Sequence, residues 1–199
     1  LFAGGGSLGD LVNLGTSTLQ DSYETSSNTV TVSDEDAIFL SKDFASTETY
    51  WTETFEVEGL TYDPPTLVIY DGQTQTSGCG VGSANAGPFY CPVDEKVYID
   101  LSFYDELTTK YDAEGDFAMA YVIAHEVGHH VQNELGTMDD YNKERQELSE
   151  TEANALNVRL ELQTDYYAGA WANYVEGEGL LETGDIEEAM NAAHAVGDD

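Results

Sequence analysis

Apolar side chains recur at roughly helical spacing in the first third of the chain, at Leu40, Phe44, Trp51 and Phe55. An acidic stretch at 34–36 precedes them, as is common in the first turn of a helix. Three later stretches have a similar periodicity and cover about residues 117–135, 148–174 and 185–195. The sequence therefore predicts one helix that begins near residue 33 and three more in the second half of the chain.

Two shorter stretches between these helices are typical of β-strands. Leu67–Tyr70 is an apolar run that follows a Pro-Pro pair and ends before an Asp-Gly pair. From Val97 to Phe103 apolar and polar side chains alternate, which predicts a strand that is half buried. Because the predicted order is helix, strands and then helices, we expect an α+β fold in which a small sheet packs on the helices.

Length and composition indicate how many domains the chain has and where the folded domain begins. The 199 residues (21.7 kDa) are enough for one domain. Residues 1–32 are rich in Gly, Ser and Thr, which predicts a flexible lead-in to a single domain over 33–199. No apolar run approaches the roughly 20 residues of a membrane helix, so we expect a mature chain without a membrane span.

The charge is extreme, with 39 acidic and 6 basic residues and a net charge of −33. This excludes a nucleic-acid binder that uses a basic surface. Adaptation to high salt is one explanation, and calcium binding by a secreted protein is a weaker one. Asp139 and Asp140, like the acidic stretch 34–36, lack the spacing of an EF-hand loop. For any single cluster, a solvated surface is the more common role.

Cys79 and Cys91 flank a loop rich in Gly and Pro. Two cysteines without a nearby histidine are too few for a structural zinc site. Their short separation favours a disulfide over a pair of buried thiols. A disulfide implies an oxidising compartment, so we expect an extracellular, cell-surface or periplasmic protein.

The clearest chemical signal is an HExxH motif inside the predicted helix 117–135. On a helix His125 and His129 lie one turn apart, so that both imidazoles can bind one metal ion. Glu126 is rotated by about 100° from His125 and can face a water molecule activated by the metal. Because the flanking residues are strongly apolar, a pair of surface histidines is the less favoured alternative.

A catalytic zinc ion usually has three protein ligands and one open position. No histidine follows His129 at short spacing except the adjacent His130, for which a structural role is favoured. An acidic third ligand from another helix is therefore expected, and such a chain has many candidates. Glu161 and Asp165 share one helix face, which Ala168 continues as a small side chain. By spacing alone this pair could be accidental.

Several segments together resemble the bacterial neutral zinc metallopeptidase family. They are 77–80, 87–92, 97–103, 115–118, 120–132 with AHEVGHHVQ, 160–165 with LELQTD, 184–193 and 197–199. The resemblance covers the chain from about residue 34 to its end. Members usually have an N-terminal membrane anchor before a Gly-rich stretch, and they continue past the final Gly-Asp-Asp. Leu1–Gly6 is consistent with the remainder of an anchored precursor.

The resemblance implies a zincin-like fold and a zinc-dependent endopeptidase of the gluzincin type. Its Glu-x-x-x-Asp motif implies that Glu161 joins His125 and His129 as a zinc ligand and that Asp165 orients a ligand histidine. Glu126 would then be the general base that activates water for attack on a peptide or protein substrate.

Two other functions stay open at this point. One is a catalytically silent, metal-stabilised binding or scaffold protein at the cell surface, although an intact Glu126 argues against it. The other, calcium-dependent adhesion, is weaker. The donor to the oxyanion is also open: Tyr166 and Tyr167 are candidates, but packing in the core is the more common role of such residues.

Overall fold

The computed structural model describes residues 23–25, 34–83, 87–103 and 116–196. Its helices are α1 (Asp34–Val57), α2 (Asp116–Glu134), α3 (Thr137–Arg145), α4 (Glu150–Gly177) and α5 (Asp185–Val196). Its strands are β1 (Tyr23–Thr25), β2 (Thr66–Tyr70), β3 (Gln73–Gln75), β4 (Val81–Ser83), β5 (Phe89–Cys91) and β6 (Lys96–Asp100). The α+β class and the four predicted helices are confirmed.

The main sheet has the strand order β1-β2-β6-β5. Strands β1, β2 and β6 are parallel, and β5 runs antiparallel to β6. One face of the sheet joins the core under the helices through side chains such as Ile69 and Ile99. The other face carries a smaller cluster that contains Tyr70, Tyr98 and Cys91. The two central strands, β2 and β6, are therefore covered on both faces.

The prediction of a half-buried strand over Val97–Phe103 was wrong in two respects. Residues 97–100 are all buried. The side chains that point away from the main core, such as Tyr98, are covered by the smaller cluster that contains Cys91. The strand also ends at Asp100, and residues 101–103 are helical. The Asp100 carboxylate accepts hydrogen bonds from the backbone N–H and the hydroxyl of Ser102, at 2.9 and 2.7 Å, and so stabilises the start of this helical turn.

Helix α2 lies at the centre of the molecule. It packs against α1, α4, α5 and the main sheet. Every side chain from Phe117 to Ala124 is buried, which explains why this helix is apolar on all sides before it reaches the motif. Phe117 stacks on Trp171 of α4 with the ring centroids 5.6 Å apart, and the Trp171 indole N–H donates to Ser46 of α1.

Helices α2 and α4 are in close contact at Gly128. A β-carbon at this position would lie 2.7 Å from the Thr164 methyl group and 3.3 Å from the Thr164 carbonyl oxygen. Ala168 is buried on the same face of α4, as its small side chain predicted. The absence of a side chain at Gly128, the residue directly before His129, therefore limits how near the two helices come at this point.

Helix α3 was not predicted. It has no buried residue, so its sequence lacks the apolar face that indicates a helix. Gly136, which separates it from α2, has a left-handed backbone with φ of 76°, as a glycine after a helix commonly does.

The predictions for the lead-in and for the cysteine loop can be compared with the structure. Tyr23–Thr25 forms the edge strand β1, although the sequence assigned it to the flexible lead-in, and the rest of 1–32 lies outside the described residues. The disulfide between Cys79 and Cys91 is confirmed, with a Cα–Cα distance of 5.9 Å. None of the helices in the described part of the chain combines the length and the apolar character that a transmembrane segment needs.

Candidate metal centre

Three side chains predicted as metal ligands converge between α2 and α4. The Nε2 atoms of His125 and His129 each lie 3.4 Å from the same oxygen, Oε2 of Glu161. One potential ligand atom from each of the three residues lies within 4.8 Å of the others. In the part of the chain that the structure describes, this is the only such group of His, Cys, Asp and Glu side chains.

The geometry fits zinc. Zinc binds imidazole nitrogen and carboxylate oxygen at about 2.0–2.2 Å, so two ligand atoms at tetrahedral corners should lie about 3.3–3.5 Å apart. The two distances of 3.4 Å from Glu161 have this length. Two histidines and one glutamate also leave one tetrahedral corner open, as a catalytic zinc site requires.

The orientation of His125 is determined by Asp165. The His125 Nδ1–H group donates to Oδ1 of Asp165 at 3.0 Å, which leaves Nε2 free to bind a metal. The Tyr121 hydroxyl donates to the same Asp165 oxygen at 3.3 Å. Burial and the charge of Asp165 raise the pKa of Tyr121, so this hydroxyl keeps its proton. Asp165 therefore contacts a ligand histidine as the sequence predicted, whereas its second contact, with Tyr121, was not predicted.

His129 has a different partner. Its Nδ1–H group donates to the amide oxygen of Gln132 at 3.0 Å, and the Thr164 hydroxyl oxygen lies 3.3 Å from the same nitrogen. The sequence analysis missed both residues. The pair His129 and Gln132 has the i, i+3 spacing of helix neighbours, which was a usable signal, whereas Thr164 comes from α4 and is brought close by the crossing at Gly128.

The electrostatics of the centre favour a cation. Burial lowers the pKa of His125, but hydrogen bonds to Asp165 and Glu161 and the charge of Glu126 overcome this and raise it to about 10. The pKa of His129 is also raised, against burial, by Glu161 and Glu126. Burial raises the pKa of Glu161, and the two imidazoles reverse this and lower it to about 2. The carboxylates thus stabilise positive charge at this point.

Glu126 lies beside these groups and is itself 8% exposed. Its charge contributes to the raised pKa of both His125 and His129. The side chain is therefore largely shielded from bulk water, and its charge acts on both imidazoles, as is suitable for a general base at this centre.

His130 is 1% exposed and belongs to a separate network on another side of α2. Its Nε2–H group donates to the Asp63 carbonyl oxygen at 2.7 Å, and its Nδ1 accepts from the Tyr90 hydroxyl at 3.0 Å. Asn133 in turn donates to the Tyr90 oxygen at 3.2 Å. Burial lowers the pKa of His130, so the ring is neutral, and these contacts agree with the structural role that the sequence favoured.

Where the structure describes them, the tyrosines considered as oxyanion donors and the acidic clusters considered for calcium form no site like the one between α2 and α4. Tyr167 packs edge-on against Trp51 with the ring centroids 5.2 Å apart, in agreement with a packing role, whereas Tyr166 is 72% exposed and is not a core residue. Asp139 and Asp140 are in no group of ligating side chains that the described part of the chain forms. The side chains of the acidic stretch 34–36 lie outside the described residues. Calcium binding is therefore not supported.

Residues 4–199 match the family described as "Putative neutral zinc metallopeptidase". The "Uncharacterized protein YpfJ" of Escherichia coli K12 is 54% identical over 166 residues, which are 83% of this chain and 58% of that protein. Proteins Mb2605 of Mycobacterium bovis and Rv2575 of Mycobacterium tuberculosis are 44% identical over 149 residues, 69% of this chain and 49% of each. The matched region thus spans about half the length of these relatives. No solved structure matches the chain at a significant level.

Proposed function

Because the chain belongs to the neutral zinc metallopeptidase family, we propose that it is a zinc-dependent endopeptidase of the gluzincin type with a zincin-like fold. The zinc ligands are His125, His129 and Glu161. The convergence of both Nε2 atoms on one Glu161 oxygen, at 3.4 Å each, carries this proposal. It is supported by Glu126, which follows His125 in the motif, is buried, and acts through its charge on both imidazoles.

The chemistry follows from the charges of the residues. When bound, zinc polarises a water molecule and the scissile carbonyl group of a peptide. The ligand set carries a single negative charge, from Glu161, so that part of the charge of a divalent ion is not neutralised. Glu126 accepts a proton from the attacking water and passes it to the leaving amine. Asp165 keeps the His125 imidazole in the tautomer with the proton on Nδ1, which leaves Nε2 to bind the metal.

Three variants of the full chain test these roles separately. Glu126→Gln removes the base but no ligand, so zinc stays bound while cleavage of a denatured protein mixture collapses. Glu161→Ala removes a ligand, so zinc affinity and cleavage fall together. Asp165→Asn keeps all ligands and weakens the orientation of His125, with an expected loss of about 10–100-fold in affinity or activity.

Zinc retention should therefore decrease from Glu126→Gln to Asp165→Asn to Glu161→Ala. If Glu161→Ala binds zinc as tightly as the parent chain, Glu161 is not the third ligand. Tight zinc binding by the parent chain without cleavage of any protein would instead favour a metal-stabilised binding protein.

We further propose that the chain acts in an oxidising compartment, outside the cell, at its surface or in the periplasm. The disulfide between Cys79 and Cys91 supports this location. The test is alkylation of protein that was isolated without reductant and then unfolded. Label on both cysteines would contradict the proposal.

A further inference from the structure

Gln132 is a fully buried side chain whose three polar contacts connect the two halves of the metal centre. Its amide nitrogen donates to the Leu160 carbonyl oxygen at 2.7 Å and to Oε1 of Gln163 at 3.0 Å, both on α4. Its amide oxygen accepts from Nδ1–H of His129 at 3.0 Å. Because both N–H groups have acceptors, the orientation of the amide is determined, and its oxygen must face His129.

We propose, resting on the proposed function, that Gln132 is the positioning residue of His129. An acceptor at Nδ1 forces the ring proton onto that nitrogen and leaves the lone pair of Nε2 for the metal. The same side chain binds the carbonyl group of Leu160, the residue before Glu161, on α4. Gln132 thus orients one proposed ligand and holds the backbone next to another.

Only an amide can make this set of contacts. A carboxylate would accept from the His129 ring but could not donate to the Leu160 carbonyl oxygen, and a lysine would donate but not accept. The Thr164 hydroxyl donates its proton to the Leu160 carbonyl oxygen at 3.0 Å and has lone pairs left for Nδ1–H, but it lies farther from Nδ1, at 3.3 Å against 3.0 Å for Gln132, and is therefore the weaker acceptor. The two histidines therefore differ in their partners: Nδ1 of His125 faces the carboxylate of Asp165, whereas Nδ1 of His129 faces the amide of Gln132, although the chain has 39 acidic residues.

Two substitutions separate orientation of the ring from simple packing. Gln132→Met and Gln132→Glu both lose the donors to α4, but only Glu keeps an oxygen that accepts from His129. We expect Gln132→Met to weaken zinc affinity by about 10–100-fold, as the loss of such a partner commonly does. Gln132→Glu should recover most of this affinity, although its donor bonds to α4 are gone.

The matched control is Asn133→Ala. Asn133 is the adjacent amide on α2, but its side chain donates to Tyr90 and not to the metal centre. Zinc affinity is measured by competition with a chelator at a temperature at which every variant is folded. Asn133→Ala should bind zinc like the parent chain, and Thr164→Val should lose less affinity than Gln132→Met.

The outcomes are distinguishable. Equal losses in Gln132→Met and Gln132→Glu would overturn the orienting role, because packing or the link to α4 would then explain both. Equal affinities in the parent and in Gln132→Met would overturn the proposal as a whole. No zinc binding by the parent chain would overturn the proposed function instead.

A measurement without a variant covers the case in which Gln132→Met does not fold. In the zinc-loaded parent chain, nitrogen NMR should show His129 protonated at Nδ1, with a slowly exchanging ring proton. Metal bound through Nδ1 of His129 would contradict the proposal.

Discussion

His129 and His130 are adjacent in sequence, yet they have opposite electrostatic environments. Glu161 and Glu126 raise the pKa of His129 although the ring is buried. His130 hydrogen-bonds to a backbone carbonyl and to the Tyr90 hydroxyl. The Glu134 carboxylate lies farther away, 3.8 Å from Nε2, and burial prevails and lowers the pKa of the ring. A rotation of about 100° around the helix axis is enough to separate the two environments.

The comparison shows that residue type and sequence position do not by themselves determine a histidine's role. A ring that hydrogen-bonds to carboxylates favours a positive charge and therefore suits a metal ligand. A buried ring whose hydrogen bonds go to a backbone carbonyl and a hydroxyl stays neutral and holds elements together, even with a carboxylate 3.8 Å away. His130 connects α2 to the loop at Asp63 and to strand β5 through Tyr90. The two histidines should accordingly fail in different ways when they are removed.

The largest effect is expected for His129→Ala. This substitution removes a proposed ligand, so zinc affinity should fall by more than the roughly 100-fold that the loss of a hydrogen-bonding partner can cost. The metal-free protein should unfold at nearly the temperature of the metal-free parent. Chelator competition and thermal unfolding measure the two quantities, and unchanged zinc affinity would contradict the assignment.

His130→Ala should show the reverse pattern. It leaves the Asp63 carbonyl and the Tyr90 hydroxyl without their His130 partner and creates a cavity, at a combined cost of about 2–4 kcal/mol in the free energy of unfolding. Zinc affinity of the folded variant should stay close to that of the parent. Denaturant unfolding of the metal-free forms measures this cost. A large loss of zinc affinity in the folded variant would contradict a purely structural role of His130.

Gly128→Ala should affect both properties at once, because Gly128 lies between the metal face and the contact with Thr164 on α4. A β-carbon 2.7 Å from the Thr164 methyl group and 3.3 Å from the Thr164 carbonyl oxygen must displace Thr164 and the backbone of α4 around it, at a cost of about 1–3 kcal/mol. Zinc affinity should fall as well, since Glu161 moves with α4.

Gly169→Ala is the matched control, because a β-carbon on this residue of α4 meets nothing within 4 Å. That substitution should stabilise the chain by about 0.5–1 kcal/mol. If both glycine variants change stability equally, the close approach at Gly128 does not limit the packing of the helices.

The smallest effect concerns pH. Unfolded histidine titrates near pH 6.5, and the folded pKa of His130 is lower, so the unfolded chain binds more protons as the pH falls below about 6.5. The contribution of His130 is complete above that pH and decreases below it by at most about 1.4 kcal/mol per pH unit. We expect the stability difference between the parent and His130→Gln, both with chelator, to shrink between pH 7 and pH 5. A constant difference would mean that His130 titrates normally in the folded state.

Much of the site could be predicted because its signals are local. The spacing of His125, Glu126 and His129 depends only on the period of one helix, and that helix is recognisable from its apolar residues. Glu161 and Asp165 were recognisable as a pair on one face. The helix α3 was not predicted, since none of its residues is fully buried and its sequence has no clear apolar periodicity. The end of β6 at Asp100 was missed because Ser102, which donates to the Asp100 carboxylate, continues the alternation of polar and apolar residues in the sequence.

Some expectations stay predictions. Adaptation to high salt rests on the charge of −33 alone. The flexible character of the lead-in concerns residues that, apart from Tyr23–Thr25, lie outside the described part of the chain.

The sequence by itself determined the helix that carries the motif, the disulfide loop and the pair of histidines on one helix face, because each depends on residues near one another in the chain. Only the tertiary structure decided which of 39 acidic side chains meets the two histidines. That choice depends on where α4 crosses α2, at Gly128 and Thr164. The same crossing brings the Leu160 carbonyl to Gln132. Contacts between distant segments follow from helix packing, which local periodicity does not specify.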